Sequence, residues 1–222
     1  MRPRPSIRVQ MKPISPKFVT FEGIDGCGKS TLIDELASWL DRTRVPYVKT
    51  REPGGTSLGE KIRGLLLDPA HRGMNRQTEV LLYTASRAQL VAEIILPALK
   101  SGAWVLADRY IDATLAYQGY GRELDPDPLR RLQHWATQAL VPDKTVLLDC
   151  GIDTAAARMS ARNHRPDRIE MEERAFHERV KAGYLDLASL DPGRFIVLDA
   201  EKPLPEVIAD FRAAFREIVP AP

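Results

Sequence analysis

The sequence predicts an α/β fold in which a five-stranded parallel sheet lies between two layers of helices. Short apolar runs alternate with stretches of helical periodicity, as is typical of three-layer α/β proteins. Several of these runs lack polar alternation, which indicates strands buried on both faces of a parallel sheet. A glycine-rich loop between the first strand and the first helix is the third observation.

The individual elements follow from residue type and spacing. Runs rich in β-branched and aromatic residues predict strands at residues 18–21, 47–50, 104–107, 145–148 and 195–198. Apolar residues at helical spacing predict helices at residues 29–42, 75–100, 127–140, 172–190 and 204–218. The longest helix ends near Gly102 and carries an apolar stripe that we interpret as facing the core, formed by Leu81, Ala85, Ala88, Ala92, Ile95 and Leu99.

Composition bounds the class of protein. The 222 residues contain 32 Lys and Arg against 30 Asp and Glu, and 44% are apolar. These values fit one globular domain and exclude a strongly basic nucleic-acid coat, so no nucleic-acid partner is expected. No run of 18 apolar residues occurs, so no membrane partner is expected either. Two distant cysteines give no disulfide framework, and a cytoplasmic location is the expectation.

We expect a single domain over residues 17–219, preceded by a flexible leader at residues 1–16. The leader is basic and rich in proline, and the first acid after it is Glu22. It contains a second methionine, so Met1 and Met11 are alternative translation starts.

Residues 23–30, Gly-Ile-Asp-Gly-Cys-Gly-Lys-Ser, match the phosphate-binding pattern G-x-x-x-x-G-K-[ST] between a predicted strand and a predicted helix. Backbone N–H groups of such a loop and the following helix N-terminus bind phosphate oxygens. Lys29 is expected to reach the β- and γ-phosphates, and Ser30 to bind Mg²⁺. The expected nucleotide-binding set is Gly23, Ile24, Asp25, Gly26, Cys27, Gly28, Lys29, Ser30 and Thr31.

Other classes of P-loop protein fit less well. A switch GTPase requires an N-K-x-D guanine motif, which is absent, and the only D-x-x-G spacing lies inside the loop itself. A transporter ATPase would need further domains, for which the chain leaves little room. A compact kinase or a related small-molecule enzyme is the remaining reading.

Further polar residues follow the ends of other strands. Asp108 and Arg109 come directly after strand 104–107, at the edge where parallel sheets bind ligands. We expect Asp108 to hold Mg²⁺ through water and Arg109 to bind a phosphate. Arg51 closes the second strand at the same edge and could also meet an anion. On the long helix, Tyr83 and Arg87 share one face and could stack on and hydrogen-bond to a planar base.

The chain as a whole resembles the thymidylate kinase family, which phosphorylates dTMP to dTDP. The matching segments run in family order and lie at residues 21–25, 50–56, 83–89, 108–110, 116–119 and 167–170. The resemblance implies the three-layer P-loop nucleoside monophosphate kinase fold, the ATP:dTMP phosphotransferase activity of dTTP synthesis, and the use of ATP and Mg²⁺. The alternatives are another pyrimidine nucleoside monophosphate kinase, such as one acting on dUMP, or remotely a nucleotide-switch binding protein.

The resemblance also implies roles for individual residues. Asp25 accepts a hydrogen bond from the sugar 3′-hydroxyl, and Tyr83 stacks on thymine. Arg87 reaches a thymine carbonyl, and Arg109 binds the dTMP phosphate. The remaining implied contacts are Thr114 at the base edge, Tyr117 under the sugar, where it crowds a ribose 2′-hydroxyl, and Gln118 in the same pocket. The family forms homodimers through helices, and the apolar stripe of the long helix is an alternative candidate for that interface.

Catalysis in the family uses an arginine in the P-loop or in a mobile lid. Gly26 occupies the P-loop position, so we expect the arginine in an arginine-rich lid at about residues 158–170. Arg162, supported by Arg158, is predicted to close over ATP, with Arg165 as an alternative to Arg162. No general base is needed, because the second pKa of a phosphomonoester is about 6. Mg²⁺, Lys29 and the arginines would instead stabilise the charge of the transferring group.

Overall fold

The computed structural model describes residues 17–161 and 166–219. All five predicted strands form one parallel sheet in the order β2-β3-β1-β4-β5, which confirms the predicted fold class. Their bounds are Phe18–Glu22 (β1), Tyr47–Arg51 (β2), Trp104–Asp108 (β3), Lys144–Asp149 (β4) and Phe195–Asp199 (β5). The predicted leader lies outside the described residues.

Helices follow the strands along the chain. Their bounds are Lys29–Arg42 (α1), Ser57–Leu67 (α2), Arg76–Leu90 (α3), Leu96–Lys100 (α4), Ile111–Thr114 (α5), Pro126–Ala136 (α6), Ile152–Ser160 (α7), Arg174–Leu190 (α8) and Leu204–Phe215 (α9). A π-helical turn, Val91–Ile95, joins α3 to α4, and a second, Leu115–Gly121, extends α5. The predicted helix 127–140 ends early because Gln138 and Ala139 adopt positive φ angles.

The sheet buries both of its faces, which is why its strands lack polar alternation. Val19, Phe21 and Leu106 point to one face and pack with side chains of α1, α8 and α9. Phe18 and Val105 point to the other face, where they meet side chains of the α3–α4 helix. Parallel strands thus bring the segments that follow β1, β2 and β3 to one common edge.

The predicted core stripe of the long helix is wrong at Leu81, Ala85 and Ala92. Leu81 is 57% exposed and the two alanines are also exposed, whereas Ile95 is fully buried. The helix buries Val80 and Arg87 instead. The π-helical turn explains the error, because its extra residue rotates the following turns relative to α3, so residues in one apparent stripe lie on different faces.

Within the described part of the chain, one helix, Arg76–Lys100, is long and apolar enough to cross a membrane by length and composition alone. Its buried face nevertheless carries Glu79 and Arg87, whose partners lie on other elements. That face therefore belongs to the folded domain.

Candidate active site

The P-loop connects β1 to α1 through three glycines in the left-handed region. Gly23, Gly26 and Gly28 have φ angles of 130°, 85° and 107°. A Cβ atom on Gly23 would lie 2.7 Å from the Leu148 carbonyl oxygen, and one on Gly26 would lie 2.4 Å from that of Ala155. Gly28, the N-cap residue of α1, has no side chain to cap the helix, which leaves room for phosphate oxygens at this helix N-terminus.

Lys29 lies across this loop. Its side chain is 6% exposed, and Nζ donates to the carbonyl oxygens of Gly23 and Ile24, each at 3.3 Å. The same Nζ is 3.7 Å from Asp25 Oδ1. Ser30 and Thr31 follow as exposed residues of the first helical turn. The loop thus presents one ammonium group and several N–H groups on the same side.

A polar pocket opens beside the P-loop, at the edge formed by the ends of β1, β2 and β3. Its walls also come from α3, the α5 region and the turn at residues 167–169. It brings together seven of the eight residues predicted to bind dTMP, along with the predicted metal residue Asp108. The seven are Asp25, Arg51, Tyr83, Arg109, Thr114, Tyr117 and Gln118.

Arg109 lies where the pocket meets the P-loop. Its backbone follows β3 with a φ of 73°, an uncommon conformation for a residue with a side chain. Its guanidinium donates to Asp25 Oδ1 at 2.8 Å and to the Tyr117 hydroxyl at 3.0 Å, and it stacks 4.8 Å above the Tyr117 ring. Arg51, by contrast, pairs with Glu60 at 3.0 Å on the exposed rim.

The carboxyls of Glu22 and Asp25, in the β1–P-loop segment, have pKa values that are shifted in opposite directions. Burial, followed by the charge of Asp112, raises the pKa of Glu22 to about 8. Burial also acts to raise the pKa of Asp25, but the charges of Arg109 and Lys29 outweigh it and hold that pKa well below its usual range. Asp25 is therefore an ionised hydrogen-bond acceptor at the pocket.

Arg87 lies behind the wall of the pocket. The sequence places it on one helix face with Tyr83, but its side chain is 1% exposed and is not among the residues lining the pocket. It pairs with Glu52 and donates to Thr114 Oγ1 at 2.8 Å, and its further acceptors are Gln133 Oε1 and the Tyr110 carbonyl oxygen. Thr114, which lines the pocket, is thus held from behind by Arg87, and the predicted contact between Arg87 and thymine stays a prediction.

Asp108 carries a buried oxygen without a protein partner. Oδ1 has no hydrogen bond from any described residue, although the side chain lines the pocket near the P-loop. Such an oxygen fits a hydrated cation carried in with nucleotide phosphates. No group of three or more His, Cys, Asp or Glu side chains that could hold a metal occurs within residues 17–161 and 166–219.

The lid segment is described only at its two ends. Arg158, near the end of α7, donates to the Ala200 carbonyl oxygen at 2.9 Å and to Cys150 Sγ at 3.7 Å. Arg168 is 3% exposed and pairs with Glu79 of α3 at 2.6 Å, so its side chain is fixed in the folded domain. Arg162 and Arg165 lie outside the described residues.

Sequence reasoning missed several polar groups that organise this site. Glu22, Glu52, Glu79 and Tyr184 are all at most 5% exposed. Glu22 directly follows the buried strand run, which was a usable signal, because a carboxyl beside a core strand needs hydrogen-bond donors. Tyr184 gave no signal, since aromatic residues are common on the buried faces of helices.

The fold and the site together define a class of protein. A parallel sheet carries a P-loop after its first strand, and a second pocket with an arginine faces that loop. This is the arrangement of a nucleoside monophosphate kinase, which must hold a phosphate donor and a phosphorylated acceptor side by side.

Comparison with known proteins identifies the particular family. The family model described as thymidylate kinase matches residues 21–211, and the chain belongs to this family. A thymidylate kinase of Symbiobacterium thermophilum is 46% identical over 203 residues, covering 91% of this chain and 94% of the relative. That of Cupriavidus metallidurans is 49% identical and covers 91% and 97%, and that of Geobacter sulfurreducens is 50% identical and covers 82% and 88%.

Proposed function

We propose that this chain transfers the γ-phosphoryl group of ATP to dTMP, giving dTDP and ADP, in the crevice between the P-loop and the polar pocket. The observation that carries the proposal is the position of Arg109 and Asp25 at the junction of the two. There, one guanidinium can hold an acceptor phosphate beside a loop that holds the donor. The enzyme is a kinase of the thymidylate kinase family.

The pocket supports binding of a deoxynucleotide. Ionised Asp25 is suited to accept a hydrogen bond from a 3′-hydroxyl, and Arg109 to bind the phosphate of dTMP. Tyr117 is held by its hydroxyl bonds to Arg109 and Asp25, so its ring presents a fixed surface against the sugar. A fixed ring excludes an additional 2′-hydroxyl better than a mobile one.

The base would lie deeper, between Tyr83 and the α5 region. Tyr83, Thr114 and Gln118 all line the pocket, so Tyr83 would stack on thymine while Thr114 and Gln118 would meet the base edge. Gln118 is held by Glu79 at 2.9 Å, and Thr114 accepts from Arg87. Arg87 therefore supports the wall from behind. Arg51 can leave Glu60 on the rim and turn toward the nucleotide anions.

ATP would bind along the P-loop from Gly23 to Thr31. Lys29 would leave the Gly23 and Ile24 carbonyl oxygens for the β- and γ-phosphates. Ser30 and Asp108 would hold Mg²⁺, largely through water, and Mg²⁺ would supply neutralisation of the phosphate charge. Arg162 of the lid, supported by Arg158, would close over the transferring group.

We further propose a homodimer in the cytoplasm, without nucleic-acid or membrane partners. The support is the outer face of α3, where Leu81 is 57% exposed beside exposed Ala85. On α6, which packs against α3, Trp135 is 78% exposed. Apolar side chains on adjoining helices fit the self-complementary interface of a two-fold dimer.

A coupled ADP-release assay tests the activity. ADP formation from ATP should be accelerated by dTMP far more than by dCMP, dGMP or UMP, and dUMP measures strictness for the thymine methyl group. Lys29→Ala should abolish turnover while circular dichroism shows an intact fold. Equal rates with all the monophosphates would refute the proposal.

A further inference from the structure

The guanidinium of Arg109 has two unlike edges. Nη1 donates to the Gly23 carbonyl oxygen at 2.9 Å and to the Tyr184 hydroxyl at 3.0 Å. Nη2 donates to Asp25 Oδ1 at 2.8 Å and to the Tyr117 hydroxyl at 3.0 Å. No described residue accepts a hydrogen bond from Nε. Four of the five N–H groups of the guanidinium are thus engaged.

The Nη1 partners are fixed. Tyr184, on α8, is 1% exposed, and its hydroxyl donates to Glu22 Oε2 at 2.7 Å. Glu22 is fully buried and also accepts from the Tyr110 backbone N–H at 2.7 Å. Moving Tyr184 away would leave buried polar groups without partners, which is costly.

One of the two Nη2 partners, Asp25, can be exchanged. The Asp25 side chain is 41% exposed and faces the pocket, and its second cationic neighbour, Lys29, lies 3.7 Å away. Asp25 can therefore turn to another donor without becoming a buried unpaired charge. Bidentate recognition of a phosphate uses two parallel N–H groups from one edge of a guanidinium. With Nη1 held, the edge that remains is the one formed by Nε and Nη2.

We infer that Tyr184, braced by Glu22, is a positioning residue that holds Nη1 of Arg109 so that the Nε/Nη2 edge faces the phosphate of dTMP. The inference rests on the proposed role of Arg109 in dTMP binding. Removing the hydroxyl leaves Nη1 with the Gly23 carbonyl oxygen alone, so the guanidinium plane is no longer defined at two points. Contacts to the base and the sugar do not pass through this hydroxyl.

The test is Tyr184→Phe, with binding of dTMP and thymidine measured by isothermal titration calorimetry. Affinity for dTMP should fall about tenfold or more, as expected for a lost hydrogen bond to a charged group, while affinity for thymidine stays unchanged. Thymidine is the decisive ligand because it lacks the phosphate. The matched control is Tyr47→Phe, which removes an exposed hydroxyl bonded to Asp41 at 3.2 Å and should change neither affinity.

Equal weakening of dTMP and thymidine would overturn the inference, because it would indicate a distorted pocket. Unchanged dTMP affinity would overturn it as well. If Tyr184→Phe does not fold, the double variant Tyr184→Phe with Glu22→Gln replaces it, because it removes the carboxyl that has lost its partner as well as the hydroxyl. Its affinity for dTMP should again fall while its affinity for thymidine stays unchanged. Failure of the wild-type enzyme to bind dTMP would instead refute the proposed function, so the two failures are distinguishable.

Discussion

Arg109 and Arg87 are both paired with carboxylates at the same edge of the sheet, yet their surroundings differ. Arg109 pairs with Asp25, whose side chain is 41% exposed, and its Nε has no described partner. Arg87 pairs with Glu52, and the two side chains are 1% and 2% exposed. An arginine whose protein acceptors can be exchanged can bind a substrate. An arginine surrounded by buried acceptors instead supports the wall of the pocket. The difference lies in the partners rather than in the guanidinium.

Arg109→Ala has the largest expected effect. If Arg109 can exchange its protein acceptors for a substrate phosphate, its loss should lower kcat/KM for dTMP about 10³-fold or more. Arginines that stabilise phosphoryl transfer contribute on that scale. Steady-state kinetics in the coupled assay measures this. Arg51→Ala is the control, since Arg51 is paired on the exposed rim and should cost less. Comparable losses of kcat/KM in both variants would contradict a special role of Arg109 in binding dTMP.

Arg87→Met should act on stability instead. It leaves Glu52 buried and unpaired, and breaking a buried pair in this way costs about 3–5 kcal/mol of the free energy of unfolding. Urea unfolding measures the loss. Adding Glu52→Gln should restore a large part of it, because the buried charge is then gone. If Arg87→Met alone were as stable as the wild-type protein, the Arg87–Glu52 pair would not be a buried pair on which stability depends.

Leu81→Arg tests the opposite face of the helix that buries Arg87. Leu81 is 57% exposed, so the change should raise the dimer dissociation constant at least tenfold and leave the fold intact. Sedimentation velocity over a concentration series measures this. Val197→Arg, at a residue 49% exposed on β5, is the matched control. A dimer unaffected by Leu81→Arg would place the interface elsewhere.

The most gradual expected effect is a pH dependence of stability from Glu22, the carboxyl behind Arg109. The pKa of Glu22 is raised from 4.5 to about 8 in the folded state, so folding takes up a proton between these values. Its contribution to stability is complete below about pH 4.5 and is lost as the pH rises toward 8, with a slope of at most about 1.4 kcal/mol per pH unit. Urea unfolding at pH 5, 6, 7 and 8 should show a weaker decline in Glu22→Gln than in the wild-type protein. Parallel curves would contradict the raised pKa.

Local patterns predicted most of the fold. The five strands were found because a strand buried on both faces has a continuous apolar run, and the P-loop because its glycines are sterically required. Helix α2 was missed because it buries few residues. The α5 region was missed because it is buried along most of its length and so has no one-sided apolar stripe. The stripe on α3 was misassigned because a π-helical turn has no distinctive sequence pattern.

The sequence by itself determined the succession of strands along the chain and the phosphate loop, because turn chemistry and periodicity are short-range properties. Resemblance to a known family supplied seven residues that the structure brings together in one pocket. Only the tertiary structure decided which charges are free to act. The burial of Arg87 was not foreseen because its acceptors come from the turn after β2, from α5 and from α6. The bracing of Arg109 was missed because Tyr184 is 75 residues away. The availability of an N–H group depends on every acceptor within reach, and those acceptors are brought together only by folding.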